Sequence, residues 1–139
     1  MTDRDVIDAK VDLIDERLTL LKEERENFNP DDADMRRFLM IKHALQETIE
    51  ACLDIANHVI STESLGAPTD YRAYFAKLRQ ADILNPALAE RLQDMAQFRN
   101  VLVHLYAEVN AQTVEDILNE DLDDIRAFVR QIYAYLDDE

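Results

Sequence analysis

Apolar side chains recur every three or four positions along nearly the whole chain, which is the spacing of one face of an α-helix. The repeat covers residues 3–28, resumes after position 30 and continues to about residue 60 or 62. It appears again in residues 71–80, 86–106 and 114–136. Glycine occurs once in 139 residues, so few tight turns are available. We therefore predict an all-α fold with four long helices and one short helix.

Residues that favour turns or cap helices separate these stretches. They occur at Asn29–Pro30, in the loop 61–70, at Asn85–Pro86 and at Thr113. Asparagine followed by proline suits a helix start. The asparagine side chain accepts a hydrogen bond from a backbone N–H of the first turn, and proline fits the first helical position because the N–H it lacks would have no partner in the helix. We expect Thr69 to cap the short helix in the same way. Because the connections are short, we predict an up-and-down antiparallel bundle forming a single domain, 1–139.

The balance of charge is strongly acidic, with a net charge of −15. Such a balance is unfavourable for gripping long nucleic acid, which requires clustered lysine and arginine. Three accounts stay open. The acids could lie on outer helix faces and leave a basic cleft around Arg99, a basic partner could supply the missing charge, or the acidity could serve only solubility.

Cysteine and histidine are too sparse for an internal disulfide or an evident zinc site. Cys52 is the only cysteine and lies in an apolar pattern, which predicts a buried small side chain. His43 and His58 are far apart on the second predicted helix, and we expect two ordinary, partly buried histidines. No apolar run is long enough for a membrane span and the N-terminus is polar, so we expect a cytoplasmic protein.

One short segment, 98–106, brings together several side chains that carry chemistry. Arginine suits phosphate oxygens and histidine can move a proton near neutral pH, so Arg99 and His104 supply a cation with a general acid or base for RNA cleavage. In a helix Asn100 lies one turn before His104, and Arg99 lies two turns before Tyr106. Arg99 and His104 are about 140° apart, so two facing copies of the helix would form a shared cleft more easily than one. From spacing alone, surface or capping roles stay open.

The same residues resemble a known family signature. The pattern Arg99-Asn100…His104-Leu105-Tyr106 is similar to the motif of the HEPN superfamily, and the trailing tyrosine is the variant of the HepT-like (DUF86) toxins. The segments 39–60 and 71–75 fall in the expected order, so the resemblance covers most of the chain. It implies a helical homodimer that is a metal-independent endoribonuclease without a cofactor, and a cognate minimal nucleotidyltransferase antitoxin that adds AMP to the motif tyrosine. It also implies that Arg99 and His104 are catalytic, that Asn100 supports the histidine, and that Tyr106 accepts AMP.

Other interpretations remain beside this one. The chain could be a non-catalytic helical subunit that binds a nucleotide or docks a nucleotidyltransferase, and its acidity favours that alternative. It could also be a purely structural adaptor. The aromatic pair Tyr71 and Tyr74 is expected to pack against the core rather than to stack on RNA bases. Glu50 could orient a histidine, although its position in the sequence does not indicate one.

Overall fold

The computed structural model describes residues 3–29, 31, 34–104 and 111–138, without the side chains at positions 101, 103, 104, 111 and 113. The regular structure of these residues consists of six α-helices. The helices are α1 (Arg4–Asn27), α2 (Met35–Thr62), α3 (Tyr71–Gln80), α4 (Pro86–His104), α5 (Ala111–Glu120) and α6 (Leu122–Asp137). This part of the chain contains no strand, so the predicted all-α class is confirmed. None of these helices is both long and apolar enough to span a membrane.

Helices α1 and α2 form an antiparallel pair, and polar contacts along their edge show the direction. From the start of α1 to its end the partners on α2 run backwards: Asp3 with His58, Lys10 with Asp54, Arg17 with Glu47 and Glu24 with Arg37. The three ion pairs among these contacts are exposed or partly exposed, and such pairs contribute about 0–1 kcal/mol each. They fix the register of the pair, whereas the buried apolar faces supply most of its stability.

Helix α6 runs antiparallel to both α1 and α4 and closes the bundle. Its contacts are Arg4 with Asp137 and Asp8 with Tyr133 on the α1 side, and Arg91 with Asp124 and Asn85 with Gln131 on the α4 side. Because α1 and α4 both oppose α6, α4 also opposes α2. The up-and-down arrangement predicted from the short connections is therefore present among α1, α2, α4 and α6.

Helix α2 is the centre of the core and contacts α1, α3, α4 and α5. Its buried positions cover more than one face: Ile41, Ala44, Leu45, Thr48, Ile49, Ala51, Cys52, Leu53, Ile55, Ala56, Val59 and Ile60. Burying one large aliphatic side chain contributes about 1.5–3 kcal/mol, so this helix anchors the fold. Cys52 is buried as predicted. Across the core, the rings of Phe75 and Phe128 meet edge to face at 5.6 Å and join α3 to α6.

The predicted start of α2 and the predicted cap of α3 are wrong. Helix α2 begins at Met35 rather than at position 30, and its cap is Asp34, whose Oδ1 accepts a hydrogen bond from the N–H of Arg36 at 3.2 Å. Asn29 instead accepts from the N–H of Asp31 at 3.0 Å and caps a turn.

The short helix α3 is capped by Asp70 rather than by Thr69, because Asp70 Oδ1 accepts from the N–H of Ala73 at 2.8 Å. The start of α4 is confirmed, since Asn85 Oδ1 accepts from the N–H of Leu88 at 2.7 Å.

The last predicted helix is two helices, which corrects the count of four long and one short. It begins at Ala111, so Thr113 lies inside α5 and is not its cap, and it breaks at Asp121 before α6. The break lets α5 contact α1 and α2 while α6 contacts α1 and α4. Apolar residues keep their helical spacing across the break, from Ile117 and Leu118 to Leu122 and Ile125, so the periodicity gave no sign of it.

Candidate functional site

Helix α4 carries the predicted site on its last two turns. Its buried face packs Leu88, Leu92, Met95, Ala96 and Leu102 into the core. This packing turns Arg99 and Asn100 toward the surface. The side chain of Arg99 is 24% exposed, and Asn100 is exposed. The apolar face of α4 therefore packs in the core while Arg99 and Asn100 lie where a ligand can reach them.

Three neighbours from three places in the chain hold the guanidinium of Arg99. Its Nε donates to Glu50 Oε1 on α2 at 3.1 Å, and its Nη1 donates to Asn100 Oδ1 at 3.4 Å. Its Cζ lies 5.1 Å from the ring centre of Tyr71 on α3, which is a cation–π distance. These contacts fix the arginine at the junction of α2, α3 and α4.

A cleft of about 320 Å³ opens beside this arginine, and we call it the Arg99 cleft. It is lined by Glu50, Leu53, Asp54, Asn57, Tyr71, Tyr74 and Arg99. Two carboxylates therefore share it with one arginine, and Asp54 also pairs with Lys10 at 3.0 Å. A basic cleft around Arg99 was one of the accounts left open for the acidity, and the described lining does not fit it, because acidic side chains of α2 reach into the cleft.

A second cleft of about 430 Å³ adjoins the first, and we call it the α3–α4 cleft. It is lined by Pro68, Thr69, Asp70, Tyr71, Arg72, Tyr74, Ala96, Gln97 and Asn100. Tyr71 and Tyr74 line both clefts, and their rings meet edge to face at 5.9 Å. The two tyrosines thus form the wall between the two clefts.

The predicted site residues are described to different extents. Asn100 was predicted to support His104, and the contact that the structure describes for it is with Arg99. His104 is the last residue of α4, one turn beyond Asn100, but its side chain lies outside the described part. Tyr106 lies outside the described residues altogether. The support of the histidine by Asn100 and the roles of His104 and Tyr106 stay predictions.

Two residues of the arginine cluster were not assigned to it from the sequence. Glu50 was considered only as a partner for a histidine, and its partner is Arg99. Tyr71 was expected to pack against the core, which is confirmed, but its half-buried ring also contacts the guanidinium of Arg99. The resemblance in the segment 71–75 was the only signal that could have pointed to Tyr71.

The remaining titratable groups lie away from these clefts. His43 is exposed, which corrects the expectation of partial burial, and His58 is half-buried and accepts a hydrogen bond from the N–H of Asp3 at 3.1 Å. The hydrogen bond from Arg17 lowers the pKa of Glu47. Burial raises the pKa of Asp121 to about 7, at the break between α5 and α6. The described residues contain no group of three or more potential metal ligands.

The chain is similar to known proteins over most of its length. The model of the HepT-like family, described as ribonuclease HepT-like, matches residues 12–132. The tRNA nuclease HepT of Aphanizomenon flos-aquae is 31% identical over 134 residues, which are 94% of this chain and 90% of that protein. The mRNA nuclease HepT of Shewanella oneidensis is 37% identical over 90 residues, which are 65% of this chain and 68% of that protein.

Solved structures support the same relationship. A tri-AMPylated HEPN toxin of Shewanella oneidensis, in complex with its MNT antitoxin, superposes with a TM-score of 0.85 at 29% identity, over 96% of this chain and 99% of that one. A toxin–antitoxin crystal structure with AMP-PNP gives a TM-score of 0.86 at 28% identity, over 94% and 98%. The family match and these superpositions agree with the motif in α4, and the chain therefore belongs to the ribonuclease HepT-like family of the HEPN superfamily.

Proposed function

We propose that this chain is the toxin of a toxin–antitoxin pair and a metal-independent endoribonuclease, with Arg99 and His104 as its catalytic residues. Membership of a ribonuclease family makes the chain an endoribonuclease, and the relatives are named mRNA and tRNA nucleases. The active protein acts in the cytoplasm on RNA.

The reaction is attack of a ribose 2′-hydroxyl on the adjacent phosphorus. One imidazole removes the proton from the 2′-hydroxyl and a second group protonates the departing 5′-oxygen, which leaves a 2′,3′-cyclic phosphate and a 5′-hydroxyl end. Arg99 stabilises the negative charge that develops on the phosphoryl oxygens. Asn100 assists by holding the guanidinium or, as the resemblance implies, the imidazole. The chemistry of these side chains needs no metal ion.

The observation that carries this proposal is the fixed position of Arg99. Its guanidinium is held by Glu50, Asn100 and Tyr71 on the wall of an open cleft, on a helix whose backbone continues to His104. An arginine required only for packing would not need a carboxylate, an amide and an aromatic ring from three elements. Such preorganisation is what electrostatic catalysis requires, because the cation does not have to be reoriented during the reaction.

The test compares cleavage of total RNA by purified variants in the presence of EDTA. We expect wild type to cut, His104→Ala to lose activity by about 100-fold or more, and Arg99→Ala to lose about 100- to 1,000-fold. Two exposed residues of the same types, His43 and Arg130, provide matched alanine controls that should retain activity. Unchanged cleavage by His104→Ala, or loss of wild-type cleavage in EDTA, would falsify the mechanism.

A homodimer is the proposed active form. In the Arg99 cleft one arginine faces two carboxylates, so a single chain offers little net positive charge to a phosphate. A second copy across a two-fold axis would add another arginine and another histidine to a shared site. Sedimentation equilibrium should give twice the mass of the chain, and a purely monomeric active enzyme would exclude the shared site.

We further propose that a cognate minimal nucleotidyltransferase antitoxin silences the enzyme by adding AMP to Tyr106. The support comes from the sequence motif and from the AMPylated state of the Shewanella toxin. Incubation with the antitoxin and ATP should add the mass of AMP to wild type but not to Tyr106→Phe. Tyr133→Phe is the matched control, because Tyr133 lies against α1 and hydrogen bonds to Asp8. Equal modification of Tyr106→Phe would move the acceptor to another residue.

The second candidate function is a non-catalytic subunit that binds a nucleotide or docks the nucleotidyltransferase. The acidic lining of the Arg99 cleft and the net charge of −15 favour it. Expression in cells separates the two functions. A nuclease arrests growth in a His104-dependent way, whereas a passive subunit has no such effect.

A further inference from the structure

The two tyrosines at the start of α3 are only partly buried, at the edge of the core. Phe75 and Leu78 fill the apolar face of this helix and are fully buried. Tyr71 and Tyr74 are half-buried, and both line the two clefts beside Arg99. One part of each ring therefore packs against the core, and the rest borders the space where a ligand of Arg99 would lie.

The arrangement of the rings gives them a fixed orientation. Arg99 lies 5.1 Å from the ring centre of Tyr71, and Tyr74 meets Tyr71 at an interplanar angle of 64°. Tyrosine has few rotatable bonds, so a ring held by its neighbours loses little entropy when a ligand stacks on it. Stacking of a base on such a ring contributes to binding of single-stranded RNA without a requirement for positive charge.

The polar groups of the α3–α4 cleft suit a nucleobase better than a phosphate. Asp70 lines the cleft and would repel an anion, and Arg72 is engaged by Asp94 at 3.1 Å. Gln97 and Asn100 are exposed and one helical turn apart. The amide of Gln97 can donate and accept hydrogen bonds, and Asn100 can donate through Nδ2 while its Oδ1 accepts from Arg99. Amide side chains pair in this way with the edge of adenine. The cleft volume of about 430 Å³ lies within the range of small-molecule sites.

We propose that the α3–α4 cleft is a nucleobase subsite, in which Tyr74 stacks on a base next to the scissile phosphate while Gln97 and Asn100 contact its edge. This inference rests on the proposed ribonuclease function. The guanidinium of Arg99 lies on one side of the tyrosine pair and the cleft on the other, so a base and a phosphate of the same short stretch of RNA occupy the two clefts together. The subsite gives the enzyme a preference for the base at that position, with adenine preferred.

The experiment separates base contacts from backbone contacts. Fluorescein-labelled oligoadenylate and an abasic ribose-phosphate oligomer of the same length are titrated by fluorescence anisotropy into His104→Ala protein, which leaves the RNA uncut. Adding Tyr74→Ala should weaken binding of oligoadenylate about 10-fold, in line with the loss of one stacked base. Binding of the abasic oligomer should change less than about 2-fold. Tyr74→Phe keeps the ring and should bind both probes as the parent does.

Tyr133→Ala is the matched control, because this tyrosine is half-buried on α6 and lies away from both clefts. Should Tyr74→Ala fail to fold by circular dichroism, Gln97→Ala provides the test, since Gln97 is exposed and its loss should weaken oligoadenylate alone about 3-fold. Equal weakening of both probes, no weakening of either, or no binding of oligoadenylate by the parent overturns the subsite.

The outcome is distinguishable from failure of the proposed function. If wild type cleaves RNA but Tyr74→Ala binds the two probes like the parent, the subsite is wrong and the nuclease stands. If the variants show base-dependent binding but wild type does not cleave, the subsite stands and the chain is a nucleotide-binding subunit.

Discussion

Replacing Asp121 by asparagine is expected to stabilise the protein, and more so at alkaline than at acidic pH. Asp121 lies at the break between α5 and α6, is only 8% exposed, and its Oδ2 makes no hydrogen bond within the described part of the chain. Burial raises the pKa of its carboxyl group to about 7, and the negative charges of Asp124, Glu120 and Asp94 add to the effect. The ionised carboxylate is therefore unfavourable in the folded protein.

The pKa difference sets the size and the sign of the effect. The folded state keeps a proton that the unfolded chain releases near the ordinary pKa of 3.8, so stability falls as the pH rises from about 4 to about 7. Each unit of pKa difference between the folded and unfolded states corresponds to about 1.4 kcal/mol of free energy. The rise from 3.8 to about 7 therefore gives an upper bound of about 4 kcal/mol on the cost of the ionised carboxylate. A cleft of about 370 Å³ opens beside Asp121 between α4 and the break, lined also by Arg91, Asp94 and Asp124. Water in this cleft reduces the cost, and we expect about 2 kcal/mol.

The assay is urea unfolding followed by circular dichroism at about pH 8 and about pH 5.5, above the sequence isoelectric point of about 4.4. We expect Asp121→Asn to raise the free energy of unfolding by about 2 kcal/mol at the higher pH and by about half as much at the lower. Asp123→Asn, an exposed neighbour with the same change of charge, should alter it by less than about 0.5 kcal/mol. A gain that is absent at the higher pH, or equal at both, refutes the reasoning.

Three further substitutions test packing, capping and backbone conformation by the same unfolding measurement. Phe128→Ala should cost about 3–5 kcal/mol, because its ring is fully buried against Phe75, and a cost below about 1 kcal/mol would contradict the core described here. Asp70→Ala should cost about 1 kcal/mol through loss of the α3 cap, with no effect expected from Thr69→Ala. Gly66→Ala should cost about 1–2 kcal/mol, because the φ of +90° disfavours any residue with a Cβ; a neutral result would argue against that conformation.

The helices could be predicted from the sequence, whereas several of their ends could not. Apolar periodicity marked α1 to α4 because each of these helices buries apolar residues in the same core. Asn29 and Asp34 are both good capping residues, so the sequence alone did not distinguish them, and the structure caps α2 with Asp34. The break at Asp121 left no trace in the sequence, because the buried positions keep a helical spacing on both sides of it.

The candidate site was predicted only where its residues are neighbours in sequence. Arg99 and Asn100 lie in one motif, and they do contact each other. Glu50 is 49 residues away from Arg99, and Tyr71 lies on another helix. Their approach depends on how α2 and α3 pack on α4, which periodicity alone does not define.

The acidity of the Arg99 cleft leads to a last prediction about how RNA is held. Because Glu50 occupies the Nε of Arg99, a phosphate must compete with a carboxylate, and few counterions are released when RNA binds. A plot of the logarithm of the affinity for single-stranded RNA against the logarithm of the salt concentration should then have a slope of only about −1 to −2. This slope corresponds to about two phosphate contacts. Titrating oligoadenylate into His104→Ala protein at several salt concentrations measures this slope. A slope steeper than about −4 would mean that a cationic surface outside the clefts dominates binding, and stacking on Tyr74 would then contribute little.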